Sequence, residues 1–327
     1  MLDITMFDDN KTTKIAGLDE ANASLKERPQ AALWVDMEDP TVEETREVAK
    51  AMKLHRLAVE ALLRAGSSAP SYDFFDDHAV LGLATYNPRG AVTSDDLVGM
   101  RLVVGGRFII TYHRGAIHPV KLARQELVTR GTADGSRAQQ MAYVLLDTVA
   151  DGLLEATEKL EEQAVELETA LLHRANRRIL DRLVSMRRTA IKLRRLLVLQ
   201  REALERLVRS QKTIVDAPNR VYFEDVLSRV SHAETLSDSV ILVSESGLNS
   251  YLAAVNNRMN DVMKLLMVVG AVFLPLTFLT SLYGTNFTSL PGSKGEFSFW
   301  VLVGVMGVVA ISLVAYFYRR GWLKREE

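Results

Sequence analysis

Two long apolar runs near the C-terminal end interrupt an otherwise mixed pattern of hydrophobic and polar positions. Residues 265–283, "LLMVVGAVFLPLTFLTSLY", are 19 without a charge, and 297–318, "FSFWVLVGVMGVVAISLVAYFY", are 22 more. Each is long enough to cross a hydrocarbon core of about 30 Å as a helix, whereas core helices of soluble proteins rarely run so far uncharged. The pattern predicts two membrane spans. Upstream the helical period governs from Arg137: one long helix over 137–174 and a second over 177–212, paired as a hairpin. Pro218 marks a further start, since proline suits the first turn of a helix. A helix unbroken from there to Tyr283 holds 66 residues, or about 100 Å at 1.5 Å per residue, and makes a stalk continuous with the first span.

The first 135 residues read differently. "AALWVDM" is a short β-favouring run ended by the turn signal "EDP", and Thr41 followed by Glu44 is a capping box opening a helix. A second helix is predicted over 55–65. "DDHAVLGLATY", "LVGMRLVV" and "RFIITYH" read as strands, the last two joined through "GGR" as a hairpin. With strands clustering after the early helices, the fold class is α+β rather than doubly wound. "VVGGRF" is a turn, not a phosphate-cradling loop. The predicted division is therefore an α+β cytoplasmic domain at 1–135, a helical hairpin at 136–216, a stalk at 217–264, the first span at 265–283, an external loop at 284–296, the second span at 297–318 and a basic tail at 319–327.

Composition narrows the function. A chain of 327 residues exceeds one small core. The net charge of -1 removes any global argument for nucleic-acid binding, and the absence of cysteine excludes disulfides and thiolate metal sites. The start, "MLDITMFDDNKTTK", has three Asp before its first Lys and no continuous apolar core, unlike a signal peptide. Arg258 and Lys264 precede the first span, and Arg319, Arg320, Lys324 and Arg325 follow the second. The connecting loop holds only Lys294 and Glu296. The positive-inside rule then places both termini in the cytoplasm, with Trp300 and Trp322 near the interfaces. The first hairpin helix is acidic (Asp151, Glu155, Glu158, Glu161, Glu162, Glu166, Glu168) and the second basic (Arg177, Arg178, Arg182, Arg187, Arg188, Lys192, Arg194, Arg195, Arg201). A basic helix serves nucleic acid or lipid headgroups; mutual complementation of the two helices is the simpler reading. No nucleophile–base cluster stands out, so no enzyme is indicated, and no cofactor.

The chemistry lies in a stripe. Stepping back in threes and fours from Asn286 gives Gly284, Ser281, Thr277, Leu274, Gly270, Leu266, Met263, Asn260, Asn256, Ala253, Asn249, Ser246, Leu242, Ser239, Thr235, Ser231, Ser228 and Asp225, one slowly turning face. Nearly all are small or polar. In a membrane such a face is either close helix packing or the wall of a water-filled path; its continuation along the stalk favours the path, because soluble helices turn apolar faces inward. One span per chain cannot enclose a pore, so a closed ring with this helix innermost is required, the apolar second span facing lipid. Few ionisable groups point into the bilayer, which argues against a proton relay. Selection then falls to neutral oxygens: a ring of Asn286 carbonyls, on backbone that Gly284 lets leave the helix, holding a cation such as Mg²⁺ through its water. Met263, Leu266 and Leu274 are the hydrophobic constrictions.

At these residues the chain resembles the CorA family of divalent-cation channels, whose signature after the first span is Tyr-Gly-Met-Asn. "PLTFLTSLYGTNF" matches its "PLTF" and the Tyr, Gly, Asn and Phe around the signature. "LWVDMEDPTVEE", "SYDFFDDHAVL", "LLDTVADGLLEATEKLEEQAVELE", "VYFEDVLSRV" and "YRRGWLKREE" extend the likeness over nearly the whole chain. The resemblance implies a funnel-shaped homopentamer in the plasma (inner) membrane. It implies passive Mg²⁺ uptake, with Co²⁺ also carried, and closure when cytoplasmic divalent cations bind between subunits. It makes Asp225 in "YFEDV" the candidate sensing carboxylate, with Asp73, Asp76 and Asp77 weaker ones. Two departures matter. Thr285 stands where the family has Met, and Asn249 stands where some relatives carry an acid. Gly-x-Asn variants also occur in the related ZntB zinc transporters, so a Zn²⁺ or Ni²⁺ transporter of the same fold is the alternative, and a non-conducting membrane-anchored sensor a third. The pair His113 and His118 lacks a third ligand for zinc.

Overall fold

The computed structural model describes residues 1–8, 11–63, 69–75, 77–130, 137–173, 176–210, 215–285 and 298–322. They fall into two compact units, Met1–Leu248 and Asn249–Glu327.

The first unit is built on a seven-stranded sheet: β1 (Leu2–Asp8), β2 (Lys11–Ile15), β3 (Ala32–Glu38), β4 (Ser71–Phe75), β5 (His78–Tyr86), β6 (Leu97–Gly105) and β7 (Phe108–His113). Their spatial order is β2-β1-β3-β7-β6-β5-β4. Every neighbouring pair is antiparallel except β3 with β7. Gly106 and Arg107 close β6 onto β7 where "GGR" predicts a hairpin. The α+β class therefore holds, but not all strands follow the early helices: β1 and β2 precede the first of them. β1 carries a short apolar–polar alternation over Leu2–Met6, and the fold buries Thr5 and Phe7 of the other face as well. β4 is a half-exposed edge strand.

Helices α1 (Leu18–Glu27), α2 (Val42–Ala51) and α3 (Arg56–Leu63) cover one face of the sheet. Ala21, Leu25, Val48, Met52, Ala58 and Leu62 pack there against Ile4, Leu33, Val35, Val103 and Ile110. α2 starts at the capping box read from the sequence: Glu44 N donates to Thr41 Oγ1 (3.1 Å) and Thr41 N to Glu44 Oε2 (2.8 Å). Two of the otherwise orphaned amides of the first turn are thus satisfied. Helices α4 (His118–Arg130), α5 (Arg137–His173) and α6 (Arg177–Arg209) lie on the other side, with α5 and α6 against β5. All nine residues of β5 are buried. Gln200 of α6 even reaches the strand, accepting from Ala84 N at 2.8 Å.

α7 (Arg220–Tyr283) is a single helix of 64 residues. Within the first unit its packed seam is Phe223, Val226, Val230, Ala233, Ser237, Val240, Ser244 and Gly247, at alternating steps of three and four. Beside the seam, α7 bonds to both hairpin helices: Ser239 donates to Glu161 of α5 at 2.6 Å, and Arg201 of α6 pairs with Glu234 at 2.8 Å. At Gly247 the helices come closest, for a Cβ there would lie 2.6 Å from Leu183 Cδ2. In the second unit the remainder of α7 and α8 (Ser298–Arg319) present long apolar surfaces with almost no cover. The most apolar 18-residue windows have mean hydropathy 2.2 and 2.3 and are 6% and 0% buried. Soluble core helices of that composition are buried, so these are candidate membrane spans.

Candidate ion pathway and acidic cluster

Each member of the α7 stripe from Ser228 to Asn249 follows a seam residue by two positions, apart from Ser231, which follows Val230 by one. At about 100° per residue, two positions carry a side chain about 200° around the helix, nearly opposite the seam. The stripe is accordingly the face that the first unit leaves uncovered. Leu242 is 66% exposed on it, while Val240 two residues earlier is wholly buried. Several of its hydroxyls turn back on their own helix: Ser231 donates to Leu227 O (2.9 Å) and Thr235 to Ser231 O (3.1 Å). Ser239, bonded to Glu161, is the member that reaches a neighbouring helix.

In the second unit Asn249, Asn256, Asn260, Met263, Leu266, Gly270, Leu274, Thr277 and Ser281 are all exposed, among exposed apolar neighbours such as Val262, Val269 and Phe273. Thr277 Oγ1 donates to Phe273 O at 2.9 Å, which satisfies the hydroxyl within the helix. The helix runs through Pro275, which has no amide to give Ala271 O. It ends at Tyr283; Gly284 N still donates to Thr280 O (2.9 Å), and Thr285 Oγ1 donates to Leu282 O (2.7 Å). The Thr285 hydroxyl therefore caps the helix end. Asn286 and the rest of 286–297 lie outside the described residues, as do Asp76 and 323–327.

Asp225 sits in a cluster that no single stretch of sequence reveals. Asp225 and Arg229 are one turn apart on α7, and Asp147 and Asp151 one turn apart on α5. Packing brings the two pairs together around the Arg229 guanidinium: Nη2 lies 2.7 Å from Asp225 Oδ2, and Nη1 lies 2.6 Å from Asp151 Oδ1 and 2.8 Å from Asp147 Oδ1. The last contact is an ion pair without hydrogen-bond geometry, for the buried Asp147 Oδ1 has no hydrogen-bond partner. Burial pushes the Asp147 carboxyl up to about 6, aided by the charges of Asp151, Asp225 and Glu126 and opposed by Arg229. Burial also works against the Arg229 charge, but Asp147, Asp151 and Asp225 outweigh it and hold the guanidinium above its usual range. Asp147 and Asp151 further line a pocket of about 480 Å³ with Tyr86, His118, Glu126 and Glu155.

Among the described residues no group of three His, Cys, Asp or Glu side chains is arranged to hold a metal ion. His113 and His118 do not form a zinc pair. His113 is buried, its Nε2 2.9 Å from Asp36 Oδ1 and its Nδ1 2.7 Å from Gly115 O, so both ring nitrogens are engaged. Asp36 also accepts from Thr111 and Arg124, and Arg124 reaches Asp3, tying β1, β3, β7 and α4 together. Among the described residues, the ion pairs that α6 makes to another helix run to α7, Arg194 to Asp238 and Arg201 to Glu234.

Comparison with known proteins agrees with this architecture. The profile of the family described as CorA-like Mg2+ transporter protein matches residues 29–319. The cobalt/magnesium transport protein CorA of Thermotoga maritima is 29% identical over 276 residues, 83% of this chain and 77% of that one. The zinc transport protein ZntB of Yersinia pseudotuberculosis is 26% identical over 266 residues, 79% of this chain and 78% of its own. Among solved structures, the complete CorA magnesium transporter of Methanocaldococcus jannaschii superposes with a TM-score of 0.85 at 20% identity, covering 99% of both chains, which establishes a common fold.

Proposed function

The chain belongs to the CorA-like Mg2+ transporter protein family, and on that premise we propose that it is a homopentameric channel through which hydrated Mg²⁺, and after it Co²⁺, enters the cell. As a member of that family it is a membrane transporter of divalent cations and not an enzyme. The observation that carries the finer reading is the uncovered small and polar face of α7, nearly opposite the seam by which the helix packs on its own chain. Five copies of that face, turned to a common axis, make a hydrated wall from the stalk to Ser281, with the apolar α8 left for lipid. The plasma membrane, with both termini in the cytoplasm, follows from the basic flanks.

In this reading Gly284, Thr285 and Asn286 form the outer filter, and Asn286 holds the ion through its hydration water. Met263, Leu266 and Leu274 narrow the path and close it by dewetting. The Asp225 cluster binds a cytoplasmic divalent cation when the internal level is high, and the channel then shuts. The specific alternative is Zn²⁺, favoured by Thr285 at the Met position and by the likeness to ZntB. Uptake by the full chain in liposomes separates the two. Mg²⁺ flux that Asn286→Ala abolishes supports the proposal; Zn²⁺ flux that Mg²⁺ does not compete away, and that follows a proton gradient, supports the alternative.

A further inference from the structure

The hairpin of α5 and α6 leaves a charged stripe uncovered on each of its helices. Glu158, Glu162 and Glu166 recur at steps of four along α5, and Arg188, Lys192 and Arg195 at steps of four and three along α6; all six are exposed. Such steps keep the members of a stripe on one helix face. Among the described residues none of the six forms an ion pair within the chain, and Lys192 donates once, to Ser94 O at 2.6 Å. Contacts with α7 fix which residues of the antiparallel hairpin lie level. A Cβ at Gly247 would meet both Leu171 of α5 and Leu183 of α6. The adjacent Asp238 and Ser239 bond to Arg194 of α6 and Glu161 of α5. Counted from these two rungs, Glu158 lies level with Arg195, Glu162 with Lys192 and Glu166 with Arg188.

We infer that the acidic stripe of α5 docks on the basic stripe of α6 in a second copy of this chain. The inference rests on the ring of the proposed channel and assigns a surface that joins its subunits outside the membrane. α7 takes both hairpin helices on its seam side and leaves the opposite face open. With that open face toward the ring axis, the hairpins form an outer layer, and α5 of one subunit stands beside α6 of the next. Rotation about an axis along the helices preserves height, so each acid meets the base level with it. Two different faces touch, which makes the contact heterologous: a copy offers its acids to one neighbour and its bases to the other. A single exposed pair contributes little, but three level pairs of opposite sign set the register and disfavour contact between like stripes. Nucleic acid or lipid headgroups on the basic stripe would leave the matching acids unexplained.

The test uses the full chain in detergent micelles, carrying Glu162→Cys and Lys192→Cys in a sequence without native cysteine. A short bis-maleimide is the probe, and a denaturing gel reads the rate of linking. The double variant is expected to give a ladder of covalently joined copies, and either single variant mostly unlinked chain. In the double-cysteine background, Arg188→Glu with Arg195→Glu sets like charges across the contact and is expected to slow linking about tenfold or more. Adding Glu158→Lys with Glu166→Lys exchanges the signs and is expected to restore the rate. Absence of a ladder from the double variant overturns the inference, as does an equal ladder from either single variant or a rate indifferent to charge reversal. Mg²⁺ flux of the same variants in liposomes reads the channel separately: flux without a ladder sinks the contact and leaves the channel, and a ladder without flux does the reverse.

Discussion

At the scale of single residues, Asp147 and Thr285 carry the sharpest expectations. Asp147 has a model-peptide value of 3.8 and is pushed up to about 6 in the folded chain. The folded state therefore holds its proton more tightly than the unfolded one, and stability falls as pH rises from about 4 to about 6, by roughly 3 kcal/mol at most. Asp147→Asn escapes that loss. The difference in Tm between Asp147→Asn and wild type should grow in favour of the variant by several degrees from pH 4 to pH 7; a constant difference would contradict the assignment. Thr285 is the one letter by which the signature departs, and its hydroxyl is engaged by Leu282 O rather than free for an ion. Thr285→Met should accordingly leave the order of Mg²⁺ over Zn²⁺ intact in competition uptake, with relative rates moving less than about threefold, or under 1 kcal/mol. A reversal of the preferred ion would show that position 285 borders the ion path. The Asp225–Arg229 and Asp147–Asp151 pairs are each visible in sequence as one-turn neighbours. Their convergence is not, because it depends on how α5 and α7 pack at a separation of 78 residues.

The helix α7 reads on two faces, and the sequence displays only one of them plainly. The polar stripe stands out because asparagines, serines and glycine recur at steps of three and four. The seam is harder to see, since Ser237, Ser244 and Gly247 interrupt its apolar residues. Small residues serve there for close approach rather than for water. The two faces predict opposite outcomes for neighbouring substitutions. Gly247→Leu forces a side chain into the space of Leu183 and should destabilise the full chain by about 1–3 kcal/mol, seen as a lower Tm. Ser246→Leu, on the uncovered face, should leave the Tm unchanged and reduce flux. Equal losses of Tm from both would mean the faces are misassigned. In the sheet, β5, β6 and β7 were legible as apolar runs with a Gly-rich turn; β1 offers only a short alternation over Leu2–Met6, and the edge strand β4 is five residues long and half-exposed.

For the molecule as a whole, the membrane spans, the α+β class and the family were legible from the sequence, because uncharged length and several matching segments do not depend on long-range packing. The path itself is a property of an assembly, so no single chain displays it. Its central claim is that one face of α7 meets water and ions while the flanks do not. The chain has no cysteine, so single cysteines can be introduced without background. The decisive measurement is block of Mg²⁺ uptake in liposomes by a charged, water-soluble thiol reagent, applied to Asn260→Cys, Gly270→Cys and Thr277→Cys and to Val262→Cys, Val269→Cys and Phe273→Cys. Rapid block in the first three and none in the second three is the predicted result. Block that ignores the face, or that favours the flanks, would contradict the pore.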